Sequence, residues 1–156
     1  MGDGNGWVYC SCGRRHWGLF GAAGILLTDG ASVLLQHRAA WTHEGGSWAV
    51  PGGARDSHES TTEAALREAV EETSLDTSGV RPFAQWVDDH GRWSYTTILA
   101  RAACTPQVRS TNAESTDVRW WPIPEVDGLP LHQGFAAAWP HLRGLITGGG
   151  TDAGLP

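Results

Sequence analysis

The spacing of apolar and polar positions changes several times along the chain, and each change marks an element. Residues 17–28 (WGLFGAAGILLT) are apolar and small with almost no polar alternation, the pattern of one strand buried in a sheet. Asp29-Gly30 ends that run with a hairpin turn signal, and residues 31–38 (ASVLLQHR) read as the returning strand. Residues 39–47 (AAWTHEGGS) read as a loop, Trp48 opens a short extended stretch, and Pro51-Gly52-Gly53 turns the chain. From Ser60 to Ser74 there is neither Gly nor Pro, and helix formers dominate. Strand patterns return at 83–87 and 93–100 (WSYTTILA) around a His90-Gly91 turn, and again at 117–121 after loop-like residues 106–115. Phe135, Trp139, Leu142 and Ile146 have helical spacing over residues 131–146, a pattern that Pro140 should break. No internal repeat is visible. Mixed strands around a central helix, with a second helix at the end, predict an α/β fold whose sheet is covered on both faces.

The helix after Gly53 carries the chemistry. Spacings of three and four residues place Glu68, Glu71 and Glu72 on one face, where like charges repel. Leu66, Ala69, Val70 and Thr73 are expected on the opposite face, against the sheet. Arg67 lies four residues before Glu71 and can brace the acidic face with an ion pair. Three clustered carboxylates make sense around a hard cation such as Mg²⁺, which takes oxygen ligands from protein and from substrate phosphates. A plain solvated acidic face would explain neither the Gly-Gly turn nor the arginine.

Composition narrows the picture. The 156 residues suffice for one domain with a real core, and the net charge is −6 from 11 arginines and 17 acidic residues, with no lysine. An acidic chain without a basic run is not built for duplex nucleic acid. No apolar run approaches the ~20 residues of a membrane span, and residues 1–10 lack the features of a signal peptide, so cytoplasm is the expected location. Residues 1–16 are expected to form a flexible arm, 17–146 the domain, and 147–156 a disordered tail. Cys10, Cys12 and Cys104 show no disulfide pattern. Cys10-Ser11-Cys12 with His16 invites a zinc reading, but the spacing is shorter than the usual C-x₂₋₄-C, so unpaired thiols are expected.

The spacing around the acidic helix resembles the signature of the Nudix hydrolases, G-x5-E-x7-R-E-U-x-E-E-x-G-U, where U is a bulky apolar residue. Gly53, Glu59, Arg67, Glu68, Ala69, Glu71, Glu72 and Leu75 occupy those places. Ala69 is small for U, and Ser74 stands where the family has the Gly that leaves the helix. The resemblance implies an α/β/α sandwich with a mixed sheet, and a MutT-like enzyme that hydrolyses the pyrophosphate of a nucleoside diphosphate linked to another group. It also implies Mg²⁺, with Mn²⁺ as a substitute, held by Glu68, Glu71, Glu72 and the Gly52 carbonyl. Glu59 would hold an outer water or cap the helix, and Arg67 would orient a glutamate. Glu114 is the expected later carboxylate, with Asp117 its competitor. Arg38 would meet a substrate phosphate, Gln133 would read the base, and Trp41 or Trp93 could stack on it. His43, His58 and His132 are further candidates for the cleft, while Trp48 and Trp120 read as scaffold. A small nucleotide is the expected partner, and the chain is expected to be a monomer or a homodimer. A nucleoside triphosphate, oxidised or not, is the first substrate class; ADP-ribose, dinucleoside polyphosphates and capped RNA stay open. Other readings are a non-catalytic nucleotide sensor and an isomerase of isoprenoid diphosphates, which would need a cysteine at the substrate carbon.

Overall fold

A computed structural model describes residues 2–39, 45–103, 105–109 and 115–148. The chain runs β1 (Trp7–Tyr9), β2 (Arg15–Trp17), β3 (Ala22–Thr28), β4 (Ser32–Arg38), β5 (Trp48–Ala49), β6 (Gly52–Ala54), α1 (Thr61–Thr73), β7 (Val80–Asp89), β8 (Ser94–Ala102), β9 (Ser115–Pro122) and α2 (Gln133–Thr147). The main sheet has the order β5-β4-β3-β8-β7, with β6 also on β3 and β9 on β4. β3 and β8 pair in parallel from Ala22↔Tyr95 to Thr28↔Arg101, and the other pairs are antiparallel.

All seven residues of β3 are buried, because helices cover the sheet on both sides. Ile25 and Leu27 pack with Leu34, Ile98 and the alanines of α1, while Leu26 packs with Val33, Leu35, Leu99 and α2. Side chains alternate across a strand, so a strand buried on both faces reads as one continuous apolar run. The α/β/α sandwich is therefore as expected, and α2 buries the expected Phe135, Trp139, Leu142 and Ile146. Trp48 is buried and packs edge-on to Trp121, and Trp120 donates its indole N–H to the Pro106 carbonyl at 3.1 Å, so both are scaffold.

Four local expectations are corrected. The strand expected over 17–28 is two strands, because Gly18 and Gly21 take φ of 126° and 84° and turn the chain between them. On α1 the stripe against the sheet is Ala64, Ala65, Ala69 and Thr73, with half-buried Leu66 packed on the same core as expected; Val70, expected there too, is 44% exposed. The small side chains let the helix approach the sheet closely, which accounts for Ala at a position where the family has a bulky residue. Pro140 does not break α2, which continues to Thr147; the ring sits on the exposed side of the helix. Residues 1–16, expected as a loose arm, carry the β1–β2 hairpin, with Val8 opposite His16 and the Trp7 and Trp17 rings edge to face at 5.1 Å. The segment is tied to the body by the Gly4 N–H, which donates to Asp56 Oδ1 at 2.9 Å, and by the Ser57 N–H, which donates to Asp3.

Candidate active site

The site is assembled where α1 begins its course past β6. Ser60 starts the helix through a reciprocal capping box: its hydroxyl accepts from the Glu63 N–H, and Glu63 accepts from the Ser60 N–H. Glu59 therefore does not cap α1. It is 8% exposed and accepts from Arg67 at both oxygens, from Nε at 2.6 Å and from Nη2 at 2.8 Å. It also accepts from the Asp56 N–H. The Arg67 guanidinium holds the Glu59 carboxyl below its usual range, and Glu59 in turn pushes Arg67 further up. A fork held this way is a fixed platform.

From that platform Arg67 directs the acidic face. Its Nη1 lies 3.1 Å from Glu68 Oε1 and 3.5 Å from Glu71 Oε1, and its Nη2 donates to the Ala54 carbonyl at 3.1 Å. Burial pushes the Glu68 carboxyl up, against the pull of Arg67, and neighbouring Glu71 adds to the rise. A Cβ at Gly53 would stand 2.6 Å from Glu68 Cδ, so only glycine leaves that carboxylate its place. Glu72 accepts from the Gly52 N–H at 3.2 Å, which sets it against the Gly52 peptide. Glu71 is the exposed one of the three. Among the described residues the three do not gather their oxygens within 4.8 Å of one another; Glu68 and Glu71 share Arg67 Nη1, and Glu72 takes the Gly52 N–H. Three carboxylates and the Gly52 carbonyl fit a hard divalent cation, whose ligands are oxygens.

A cleft of about 330 Å³ opens over Asp56, Arg67, Glu68 and Glu71, and Gly2 and Asn5 of the N-terminal segment form part of its wall. Two participants escaped the sequence reading. Asp56 anchors Gly4 and lies 3.7 Å from Arg67, and nothing in a lone loop aspartate signals that. Tyr95 of β8 is half-buried, with its hydroxyl turned inward next to Gly24 and Gly52. Burial raises its phenol, the charges of Glu72 and Glu68 raise it further, and the charge of Arg38 opposes them. Arg38, the last residue of β4, is thus electrostatically linked to the same place as the acidic helix.

The remaining candidates are spread more widely. Gln133 begins α2 and accepts from Arg14 Nη1 at 3.4 Å, while His132 caps α2 by accepting from the Gly134 N–H. Trp93 stacks on His16 at 4.2 Å and donates to the Trp17 carbonyl, which engages it with the hairpin. Asp117 on β9 pairs with Arg119 at 2.7 Å, and His58 is exposed beside Glu59. Trp41, His43 and Glu114 lie outside the described residues. No helix of the described residues is long and apolar enough to cross a membrane.

The NUDIX domain family model matches residues 18–143. A Mycobacterium tuberculosis protein named "Putative 8-oxo-dGTP diphosphatase 3" is 46% identical over 155 residues, which cover 91% of this chain and 70% of that protein. A "nucleoside triphosphate pyrophosphatase/Nudix hydrolase fusion protein" from Bifidobacterium longum is 42% identical over 152 residues, 92% of this chain and 32% of its own length. The crystal structure of RenU, a Nudix hydrolase from M. smegmatis, superposes with a TM-score of 0.85 at 42% identity, over 98% of this chain and 99% of its own. Sequence, fold and the carboxylates around Arg67 agree, and the chain belongs to the Nudix hydrolase family.

Proposed function

We infer that this Nudix pyrophosphohydrolase acts on a nucleoside triphosphate, with an oxidised one such as 8-oxo-dGTP as the first substrate to test. The observation that carries the reading is the Gly53 cradle, in which Glu68 is half-buried, fixed by Arg67 and flanked by Glu71 and Glu72. Such a set of carboxylates serves a polyanionic substrate only together with divalent cations. A bound Mg²⁺ or Mn²⁺ would neutralise the pyrophosphate and lower the pKa of a water. Glu68, Glu71, Glu72 and the Gly52 carbonyl would hold it, and Glu59, both of whose oxygens serve Arg67, would act through that arginine. Glu71, the exposed carboxylate, would take the proton of the water that attacks phosphorus. Arg38 would meet a phosphate of the substrate, and Gln133 at the start of α2 would face the base. Glu114 remains the proposed loop carboxylate. The name of the M. tuberculosis relative supports the choice of substrate.

The test is release of phosphate or pyrophosphate from a panel containing nucleoside triphosphates, 8-oxo-dGTP, ADP-ribose, NADH and dinucleoside polyphosphates. It is run with Mg²⁺ or Mn²⁺, for the wild type and Glu71→Gln. Turnover greatest on the oxidised triphosphate, and lost with chelator and in the variant, is expected. Greater turnover on ADP-ribose or a dinucleoside polyphosphate would move the substrate to that class. Tight binding without turnover would identify a nucleotide sensor.

A further inference from the structure

We propose that Cys10, Cys12 and His16 form a binding site for a borderline-soft divalent cation, Zn²⁺ first, separate from the oxygen site on α1. Their ligand atoms all lie within 4.8 Å of one another, and they are the sole group of three among the described residues that meets that distance. Cys12 Sγ lies 3.1 Å from His16 Nε2. In a tetrahedral zinc site, with Zn–S near 2.3 Å and Zn–N near 2.0 Å, neighbouring ligand atoms stand roughly 3.5–3.8 Å apart. Cys12 and His16 would need to part by only a few tenths of an ångström.

The short C-x-C spacing argued against zinc in the sequence, and the hairpin answers that objection. The Cys10 N–H donates to the Arg14 carbonyl and closes the turn, so β2 returns antiparallel to β1 and brings His16 back beside the two thiols. Three ligands thus come from one turn and its returning strand. Zinc sites with three protein ligands take water in the fourth position; Cys12 is exposed, which leaves that position open to solvent. Around the site, Cys10 Sγ as a thiol donates to the His90 carbonyl at 2.9 Å, a bond that a zinc-bound thiolate would give up, and the His16 ring stacks on Trp93 at 4.2 Å and tilts against His90 at 4.7 Å. The two ring contacts fix the imidazole and join the hairpin to the β7–β8 turn, as partners outside the ligand set do in metal sites. Thiolate and imidazole donors select zinc over magnesium, so the site would not compete for the cation at α1.

The experiment uses the full chain with Cys104→Ser as background. Zinc content is measured after saturation and desalting, and Co²⁺ is titrated as an optical probe. About one Zn²⁺ per chain is expected, together with a thiolate-to-Co²⁺ charge-transfer band that oxygen ligands cannot produce. Cys12→Ser and His16→Ala should each weaken zinc by at least about tenfold. Zinc should also slow the reaction of both remaining thiols with a thiol reagent, a readout that needs no substitution of a proposed ligand. Absence of the charge-transfer band, zinc content unchanged in both variants, or a Cys10–Cys12 disulfide in the protein purified without reductant would each overturn the proposal.

Discussion

Two adjacent glycines should respond to the same substitution in opposite ways. At Gly53 an added Cβ would stand 2.6 Å from Glu68 Cδ, whereas ordinary contact begins at 3.4 Å. The carboxylate sits at the end of a flexible side chain and can retreat by about 0.8 Å, so folding should change by less than about 1 kcal/mol. A displacement near 1 Å of a group that must meet the reacting centre costs on the order of 10²-fold in rate. At Gly52 the Cβ would stand 2.6 Å from the Ala23 carbonyl oxygen and 2.7 Å from Gly24 Cα, with the Tyr95 hydroxyl closer still. These are backbone atoms of a fully buried strand and the inward hydroxyl of a half-buried ring, and the backbone has nowhere to go. Overpacking of that kind costs roughly 1–3 kcal/mol, a fall in Tm of roughly 2–12 °C for a domain of this size. Urea denaturation and kcat/KM on the best substrate, measured side by side, separate the two effects. Gly53→Ala with wild-type kcat/KM would refute the cradle argument, and Gly52→Ala with wild-type stability would refute the packing argument.

Other outcomes follow from the same geometry. Ser74 leaves α1 with φ 57° and ψ 28°, the one positive φ at a non-glycine residue among the described residues. The left-handed conformation costs ~1–2 kcal/mol, and glycine loses part of the gain to its freer unfolded chain. Ser74→Gly should therefore raise stability by about 0.5–1 kcal/mol with an unchanged urea m-value, and Ser74→Ala, still left-handed, should not. Arg67→Lys cannot keep the two-pronged grip on Glu59, and each lost bond to a charged partner is worth roughly 1.5–3 kcal/mol. Lower stability by urea and a fall in kcat of roughly tenfold or more are expected, with KM less affected. Asp29 is partly buried, which opposes ionisation, yet the Ala31 and Ser32 N–H groups and the Thr105 hydroxyl hold its carboxyl below 3.8. Its folded pKa is depressed, so the stability it adds is present above about pH 4 and is lost as pH falls through the folded value. The stability gap between wild type and Asp29→Asn should accordingly close on acidification; a gap that widens would contradict that assignment.

Periodicity made α1 legible, because three- and four-residue spacing is a local property. The same reasoning placed Val70 on the wrong face, since buried alanines carry little hydrophobic signal beside a valine. Glu59 was legible as a candidate site residue, but its grip on Arg67 was not. Its partner Arg67 is eight residues away, and only the bend between β6 and α1 brings the two together. Ser60 and Glu63 already spelled a capping box, which would have freed Glu59 from the cap. Tyr95 and Asp56 left no local trace, because their roles arise from β3–β8 pairing and from the N-terminal segment.

That segment is where composition misleads most. Glycines and polar residues suggested a loose arm, but two three-residue strands are too short to show a period. What holds the hairpin is long-range: Gly4 on Asp56, Trp93 on His16, Cys10 on the His90 carbonyl. One end of the segment carries the thiols and imidazole of the proposed zinc site; the other puts Gly2 and Asn5 into the wall of the cleft beside Arg67, Glu68 and Glu71. Bound zinc would lower the freedom of the hairpin, and any ordering passed along residues 2–6 would act on the wall of the cleft. The two proposed metal sites would stay separate by donor type, oxygen at α1 and sulfur with nitrogen at the hairpin, and the residues before β1 would be the link between the hairpin and the cleft wall.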